Sequence, residues 1–302
     1  AQQITKSGLG KVFLNALNTQ TGALNLNEGE LQVGGTAAAP NTATAATLGG
    51  ANVAINMSQG STLTFLSNNL AVQDLNTIQG GGTITLATGN TMPVLMDTDN
   101  ANFFGEIIVG GGTLRAANNN ALGSNRGTTV INNTGTLQID TSVTLPELIT
   151  YNQGAVLTTL PAAAATLNAR QTFSNTTASG LNINIPAPAT AGSVGLNITG
   201  IIYAANGFTK SGDGILQLGA NQFTNVLDGY TTANASASLV GQILVNQGEL
   251  RLGNARALGA TGVGNETVVA AGATVDLRGQ ALNYGDDPDL SREIFRVAGA
   301  GV

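Results

Sequence analysis

The stretch GQILVNQGELRLG, residues 241–253, contains the pattern that decides the fold. Gly241 and Gly248 each begin an alternation of apolar and polar side chains. The same pattern occurs twice more, as GALNLNEGELQVG at 22–34 and as GEIIVGGGTLRAA at 105–117. A pattern that recurs in this way predicts a repeat architecture, in which each copy packs against its neighbours.

The alternation predicts short strands with one buried face and one wet face. Strands of this length cannot bury a face alone, but they can when the chain coils and stacks each turn on the one below. We therefore expect an all-β fold, a single right-handed parallel β-solenoid (β-helix) over residues 1–302. Its turns should contain roughly 20 to 25 residues, with on the order of 13 turns in all. The side chains expected to point inward are those of Leu24, Leu26, Ile107, Val109, Ile243 and Val245.

A β-sandwich, or a series of sandwiches, is the alternative architecture. It predicts two- to five-residue hairpin turns and a core built around large aromatic side chains. Aromatic residues make up only 4 % of this chain, whereas glycine occurs 41 times. The composition therefore favours the solenoid, in which glycine occupies corners that need a positive φ or a close approach to the next turn.

A longer order of motifs divides the chain into three degenerate repeat units, approximately 1–78, 79–205 and 206–302. A lysine-glycine strand comes first, as KSGLGKVFL (6–14) and KSGDGILQL (210–218), and the middle unit lacks the lysine. The double-glycine pair, a Leu-Gly turn and a second strand pair follow in each unit. Insertions rich in Ala, Thr, Pro and Ser are expected to protrude as loops. They are GGTAAAPNTATAAT (34–47), LPAAAATL (160–167), IPAPATAGSVG (185–195) and TTANASAS (231–238).

The composition excludes several classes of function. The chain has a formal net charge of -6 and few aromatic residues, so it lacks the cationic surface and stacking platforms that nucleic acid requires. No stretch reaches 18 consecutive apolar residues, so no membrane span is expected. With no His and no Cys, Ser-His-Asp and Cys-His catalysis are excluded, and zinc binding is disfavoured.

A few residues could still carry chemistry. Lys6 and Lys210 belong to the strand motif, and we expect them to be solvated or capping side chains. The loop GDDPDL (285–290) brings three carboxylates together and is a weak calcium candidate, with a wet acidic loop as the simpler interpretation. Its acidic residues are Asp286, Asp287 and Asp289. The pairs Thr62/Thr64 and Thr83/Thr85 resemble parts of an ice-binding face, but they look too scattered along the sequence to form one.

The order of the motifs resembles the autotransporter-associated β-strand repeat of bacterial passenger domains. The residues that carry the resemblance are KSGDGILQLGANQFTN (210–225), GQILVNQGELRLGNARALG (241–259) and VVAAGATVDLRG (268–279). The third repeat unit matches nearly throughout, the first matches at the lysine motif and the glycine pair, and the second is the most divergent. The resemblance implies a right-handed β-helix outside the cell or on the bacterial surface. It carries no catalytic residue.

The expected function is that of a non-catalytic extracellular structural or adhesive protein that displays loops or builds a fibre or filament. No cofactor is expected. The alternative is a polysaccharide-binding or polysaccharide-cleaving enzyme on the same scaffold. Expected partners are neighbouring copies, by end-to-end or lateral contact, and host or extracellular polysaccharide. Neither end shows a capping helix, so we expect a segment of a longer chain or a subunit that stacks head to tail.

Overall fold

The computed structural model describes residues 3–16, 18, 21–35, 48, 54–67, 72–161, 164–222, 237–282 and 293–298. The chain divides into two compact units, Ala1–Ile149 and Thr150–Val302. Each is built from parallel sheets stacked as a β-solenoid, so the predicted fold class is confirmed. The units together contain about 10 turns, fewer than expected because some turns carry long insertions. That residues 1–302 form one solenoid of three repeat units stays a prediction.

In the first unit, three parallel sheets surround the core. Their orders are β1-β3-β5-β8, β2-β4-β6-β9-β11-β13 and β7-β10-β12-β14, so each strand pairs with strands from neighbouring turns. The strands are β1 (Ile4–Lys6), β2 (Lys11–Leu14), β3 (Leu24–Leu26), β4 (Glu30–Val33), β5 (Ile55–Met57), β6 (Thr62–Phe65), β7 (Gln73–Leu75), β8 (Ile78–Gly80), β9 (Thr83–Leu86), β10 (Val94–Met96), β11 (Glu106–Val109), β12 (Gly112–Ala116), β13 (Thr128–Ile131), β14 (Gly135–Ile139) and β15 (Thr144–Leu145).

The second unit repeats this arrangement. Its sheets contain β19-β22, β17-β20-β23-β25-β27-β29 and β18-β21-β24-β26-β28. The strands are β16 (Ile149–Asn152), which begins at the boundary, β17 (Ala155–Thr159), β18 (Ala165–Leu167), β19 (Gln171–Ser174), β20 (Leu181–Asn184), β21 (Val194–Ile198), β22 (Ile202–Ala204), β23 (Phe208–Ser211), β24 (Ile215–Leu218), β25 (Ile243–Val245), β26 (Glu249–Leu252), β27 (Thr267–Val269), β28 (Thr274–Asp276) and β29 (Phe295–Val297). A 3₁₀ turn spans Ala178–Gly180.

The strand register gives the length of each turn. Val94 pairs with Gln73 and with Leu114, so these turns contain 21 (94 − 73) and 20 (114 − 94) residues. Phe208 pairs with Ile243, so this turn is longer and contains 35 (243 − 208) residues. Regular turns therefore match the predicted length.

The core is aliphatic. All six side chains predicted to point inward are at most 1 % exposed. In the second unit three aromatic rings join them, since Phe173 contacts both Tyr151 and Phe208 edge-on, with centroids 5.7 Å apart. The alternation of apolar and polar residues thus identified the buried face correctly.

Two expectations from the sequence were wrong. Two of the expected loops end in strands. The last three residues of LPAAAATL form β18, because Ala165 and Leu167 alternate into the core, and the last two residues of IPAPATAGSVG, Val194 and Gly195, begin β21. The threonine pairs are not scattered, since Thr62 lies beside Thr83 and Thr64 beside Thr85 in the sheet. The paired threonines do not continue onto the next turn, because Glu106 pairs with Thr83 there. Thr64 is also only 6 % exposed.

No helix in the described part of the chain combines the length and the apolar character needed to cross a bilayer.

Candidate functional site

The double-glycine pattern marks a corner where two turns of the solenoid touch. Gly248 has a φ of 65°, and a Cβ added there would lie 2.5 Å from the carbonyl oxygen of Gly212 and 2.6 Å from that of Gly214. Gly29 has the same surroundings in the first unit, packed against the carbonyls of Gly8 and Gly10. The glycine repeats because backbone lies directly on backbone at this corner.

The motif lysine closes the same corner from inside. Lys210 is fully buried, and its Nζ donates hydrogen bonds to the carbonyl oxygens of Ser211 (2.9 Å), Gly212 (2.5 Å) and Gln247 (2.9 Å). These bonds use all three donors of the ammonium group. Burial lowers the pKa of Lys210 to about 8, although the negative charges of Asp213 and Glu249 oppose that change.

Lys6 makes the equivalent cage in the first unit. Its Nζ donates to the carbonyls of Ser7 (3.3 Å), Gly8 and Glu28 (3.0 Å), and the residue is 8 % exposed. The prediction that the two motif lysines are capping residues is therefore confirmed, and the prediction that they are solvated was wrong. The reason is that the corner turns its carbonyls inward, where only a buried donor can reach them.

The middle repeat unit lacks the lysine, and an asparagine takes over the corner there. Asn90 is 2 % exposed, accepts a hydrogen bond from the backbone N–H of Ser67 at 3.0 Å and donates to the carbonyl of Met92 at 2.9 Å. Gly112, on the next turn, packs on it so closely that an added Cβ would lie 2.7 Å from the Asn90 amide nitrogen. A neutral amide can therefore replace the ammonium at this corner.

Most of the charged pairs on the outer surface join neighbouring turns. In each, an exposed or half-buried Lys or Arg reaches a carboxylate on an adjacent turn, so the pair supports the stacking. These pairs are Lys11–Glu30 (2.8 Å), Arg115–Asp140 (2.8 Å), Arg251–Asp276 (3.3 Å) and Arg296–Glu266 (2.8 Å).

Two exposed carboxylates on the first unit come closest to a catalytic arrangement. Asp74 lies on β7, and Asp97 directly follows β10, the strand beside it. Partial desolvation raises the pKa of Asp74, and the charge of Asp97 and a hydrogen bond between the two carboxyl groups act in the same direction. Arg115, one strand further on, is held by both oxygens of Asp140 at 3.1 and 2.8 Å.

A third carboxylate is buried without a partner. Glu147 is 1 % exposed, and neither of its carboxylate oxygens accepts a hydrogen bond from the described residues. Burial raises its pKa to about 8. Sequence reasoning missed this residue, although the alternation could have found it, since Glu147 stands between the inward-pointing Leu145 and Ile149.

The buried Glu147 should make the stability of the protein fall as the pH rises. Because its pKa is about 8 when folded against an ordinary 4.5, the folded state holds an extra proton between these values. Stability is unaffected below pH 4.5 and is lost between pH 4.5 and about 8, by about 3 kcal/mol at pH 7. Glu147→Gln should remove this contribution, measured by urea unfolding from pH 4.5 to 8. The slope that remains there includes that of Glu293, whose pKa burial raises to about 7.

The control for this prediction is Glu28→Gln, at an exposed glutamate of the same unit. That variant should keep the slope of the unchanged protein, because an exposed side chain contributes within about 0.5 kcal/mol. If Glu147→Gln also keeps the full slope, Glu147 is not the group responsible.

The predicted calcium residues Asp286, Asp287 and Asp289 lie outside the described residues. Within the part of the chain that is described, no group of three or more Asp, Glu, His or Cys side chains could hold a metal ion. The calcium site stays a prediction.

Two open grooves lie at corners of the solenoid, one in each unit. The groove of the first unit has a volume of about 350 Å³ and includes Asn27, Asn56 and Gln79 in its lining. The groove of the second unit has a volume of about 510 Å³ and includes Asn206 and Gln242. Both linings are rich in side-chain amides, which can donate and accept hydrogen bonds.

Comparison of the chain with protein-family models, with curated proteins and with solved structures found no match in any of the three. The function is therefore argued from the fold and the residues.

Proposed function

We propose that this chain is a non-catalytic structural or adhesive scaffold of the bacterial cell surface or extracellular space. It displays loops and adds turns to a fibre or filament, with neighbouring copies or extracellular polysaccharide as partners. The resemblance of its lysine-glycine and double-glycine motifs to the autotransporter-associated repeat supports this location.

The observation that carries the proposal is how the basic side chains are used. A β-helix site that cleaves acidic polysaccharides by elimination needs a basic residue that is free to act on substrate beside its carboxylates. In the described residues the motif lysines Lys6 and Lys210 are occupied by backbone carbonyls. Arg115, Arg251 and Arg296 are paired with carboxylates. These five cations therefore have structural partners that account for them. The exposed Arg126, Arg170 and Arg278 have no carboxylate partner among the described residues, but they lie outside β7, β10 and β12, the strands around the Asp74–Asp97 pair.

The second candidate function is a polysaccharide-active enzyme, and the carboxyl pair Asp74–Asp97 favours it. A carboxyl group whose pKa is raised, as that of Asp74 is, can act as an acid on a glycosidic bond beside a second carboxylate. The pair lies on an exposed sheet face, where a chain-like substrate has access. Arg115 is the nearest cation in the register, but it is already bound by Asp140.

Turnover measurements decide between the two functions. The whole chain is incubated with polygalacturonate, alginate and neutral glucans, and new reducing ends and unsaturated products are followed. The scaffold proposal expects no release of product from any of them. Product release that is lost in Asp74→Asn and in Asp97→Asn, but kept in the matched surface variant Asp99→Asn, would establish the enzyme instead.

A further inference from the structure

We propose that each of the two grooves binds a neutral, extended polysaccharide through hydrogen bonds with side-chain amides. This inference rests on the proposed extracellular role, since it names the class of partner that such a scaffold holds. The evidence is the lining of the grooves, the hydrogen bonds that fix their amides and the spacing of the turns.

The groove of the first unit follows the corner after β3, β5 and β8. Asn27 and Ser58 directly follow residues that pair in register, Leu26 and Met57, so they lie on successive turns. An amide ladder runs beside them, in which Asn56 donates to Asn25 at 2.6 Å and Gln79 donates to Asn56 at 2.5 Å. The ladder ends at the exposed Gln79, whose amide oxygen is left over as an acceptor.

The groove of the second unit has the same construction. Asn206 donates its amide N–H to the carbonyl of Asn175 at 2.7 Å, and Gln242 donates to Glu266 at 2.9 Å. Each amide is thereby fixed through one N–H, which leaves its oxygen as an acceptor and its second N–H as a donor. Val240 and Val263, 37 % and 88 % exposed, provide apolar surface in the lining.

Fixed amides select for ligands that both donate and accept hydrogen bonds. Hydroxyl groups of sugars do both, and the C–H faces of sugar rings can pack on the exposed valines. No charged side chain is among the described residues that line either groove. The nearby Glu266 is 2 % exposed and bound to Arg296, and the chain as a whole has a net charge of -6. An anionic polysaccharide would meet no cation in the described lining and a chain of like net charge, so the neutral class is favoured.

The spacing of the turns suits a chain-like ligand. In the second unit Phe208 pairs with Ile243, and Ile243 pairs with Thr267, so Asn206, Gly241 and Asn265 are equivalent positions on three successive turns. Neighbouring turns lie about 4.8 Å apart. This distance is close to the length of one sugar residue in an extended glycan. A polysaccharide lying along the groove can therefore contact one amide on each turn, from Asn206, Gln242 and Asn265.

The test is binding of neutral hexasaccharides to the whole chain by isothermal titration calorimetry. Cellohexaose, xylohexaose and mannohexaose are the neutral probes, and hexagalacturonate is the acidic probe of equal length. We expect at least one neutral probe to bind at two sites per chain and to bind more tightly than hexagalacturonate. Neither result depends on catalysis, so product release would overturn the scaffold proposal alone.

Variants assign the two sites. Gln79→Ala should leave only the site of the second unit, and Gln242→Ala only that of the first. The double variant should weaken binding at least about tenfold, as expected when fixed hydrogen bonds are lost. The matched controls are Gln138→Ala on β14 and Gln217→Ala on β24, two glutamines outside the groove linings. Circular dichroism and the melting temperature show whether each variant is folded.

Three results would overturn the inference. They are no binding of any neutral probe at millimolar concentration, tighter binding of hexagalacturonate, and unchanged binding in a folded double variant. If the chain has only one binding site, and either Gln79→Ala or Gln242→Ala alone abolishes it, the groove of the other unit is not a binding site.

Discussion

Gly248→Ala should destabilise the second unit by about 4 kcal/mol. An alanine at a φ of 65° costs about 1 kcal/mol, because its Cβ crowds the following carbonyl. Its Cβ would also lie 2.5 and 2.6 Å from the carbonyl oxygens of Gly212 and Gly214, and backbone cannot move aside without separating two turns. Overpacking of this kind adds about 3 kcal/mol. Urea unfolding followed by circular dichroism measures the total.

A matched control separates the two causes. Gly272 lies in the same corner one turn later, with a φ of 82° and no atom within 4 Å of an added Cβ. Gly272→Ala should therefore cost only the conformational term, about 1 kcal/mol. Equal losses in the two variants would contradict the close packing of turn on turn and leave only the positive φ as the reason for glycine.

The buried face was predictable because a strand has a period of two. Positions such as Leu24 and Ile243 needed only the alternation around each glycine, and both are at most 1 % exposed. The corners were predictable in part, since the recurring glycines marked close approach. What they approach could not be predicted, because Gly248 meets carbonyls 36 residues (248 − 212) earlier in the chain.

The candidate site was less predictable, because it depends on which turns become neighbours. Asp74 and Asp97 are 23 residues apart (97 − 74) and meet only because the intervening turn has the regular length. The amide ladder has the same origin, since Asn25 and Asn56 are brought together across an insertion. No local sequence pattern shows which residues meet on neighbouring turns until the length of every turn is known.

The burial of the motif lysine was missed for an electrostatic reason. A lysine in a strand motif is expected to face water, because burying an ammonium group costs free energy. At this corner the cost is offset by three carbonyl oxygens that point inward and have Lys210 as their common donor. Only the three-dimensional path of the corner shows those carbonyls.

Lys210→Met should destabilise the second unit by about 3 kcal/mol. Methionine keeps the apolar stem but leaves the carbonyls of Ser211, Gly212 and Gln247 without their donor. Three hydrogen bonds to a charged group contribute about 1.5 to 3 kcal/mol each. Relief from burying the ammonium, which lowers the Lys210 pKa from 10.5 to about 8, returns about 3 kcal/mol. The loss of hydrogen bonds therefore exceeds the gain.

The control for Lys210 is Lys11→Met, because Lys11 lies at the surface, where its Nζ pairs with Glu30 at 2.8 Å and lies 5.2 Å from the centre of the Phe13 ring. That variant should lose at most about 1 kcal/mol. The pH dependence adds a second check, since a lysine whose pKa is lowered when folded makes stability rise between pH 8 and 10.5. Lys210→Met should abolish that rise and Lys11→Met should keep it. If Lys210→Met is as stable as Lys11→Met, the three carbonyls are satisfied without the lysine. The recurrence of the lysine at both corners would then need a reason other than capping.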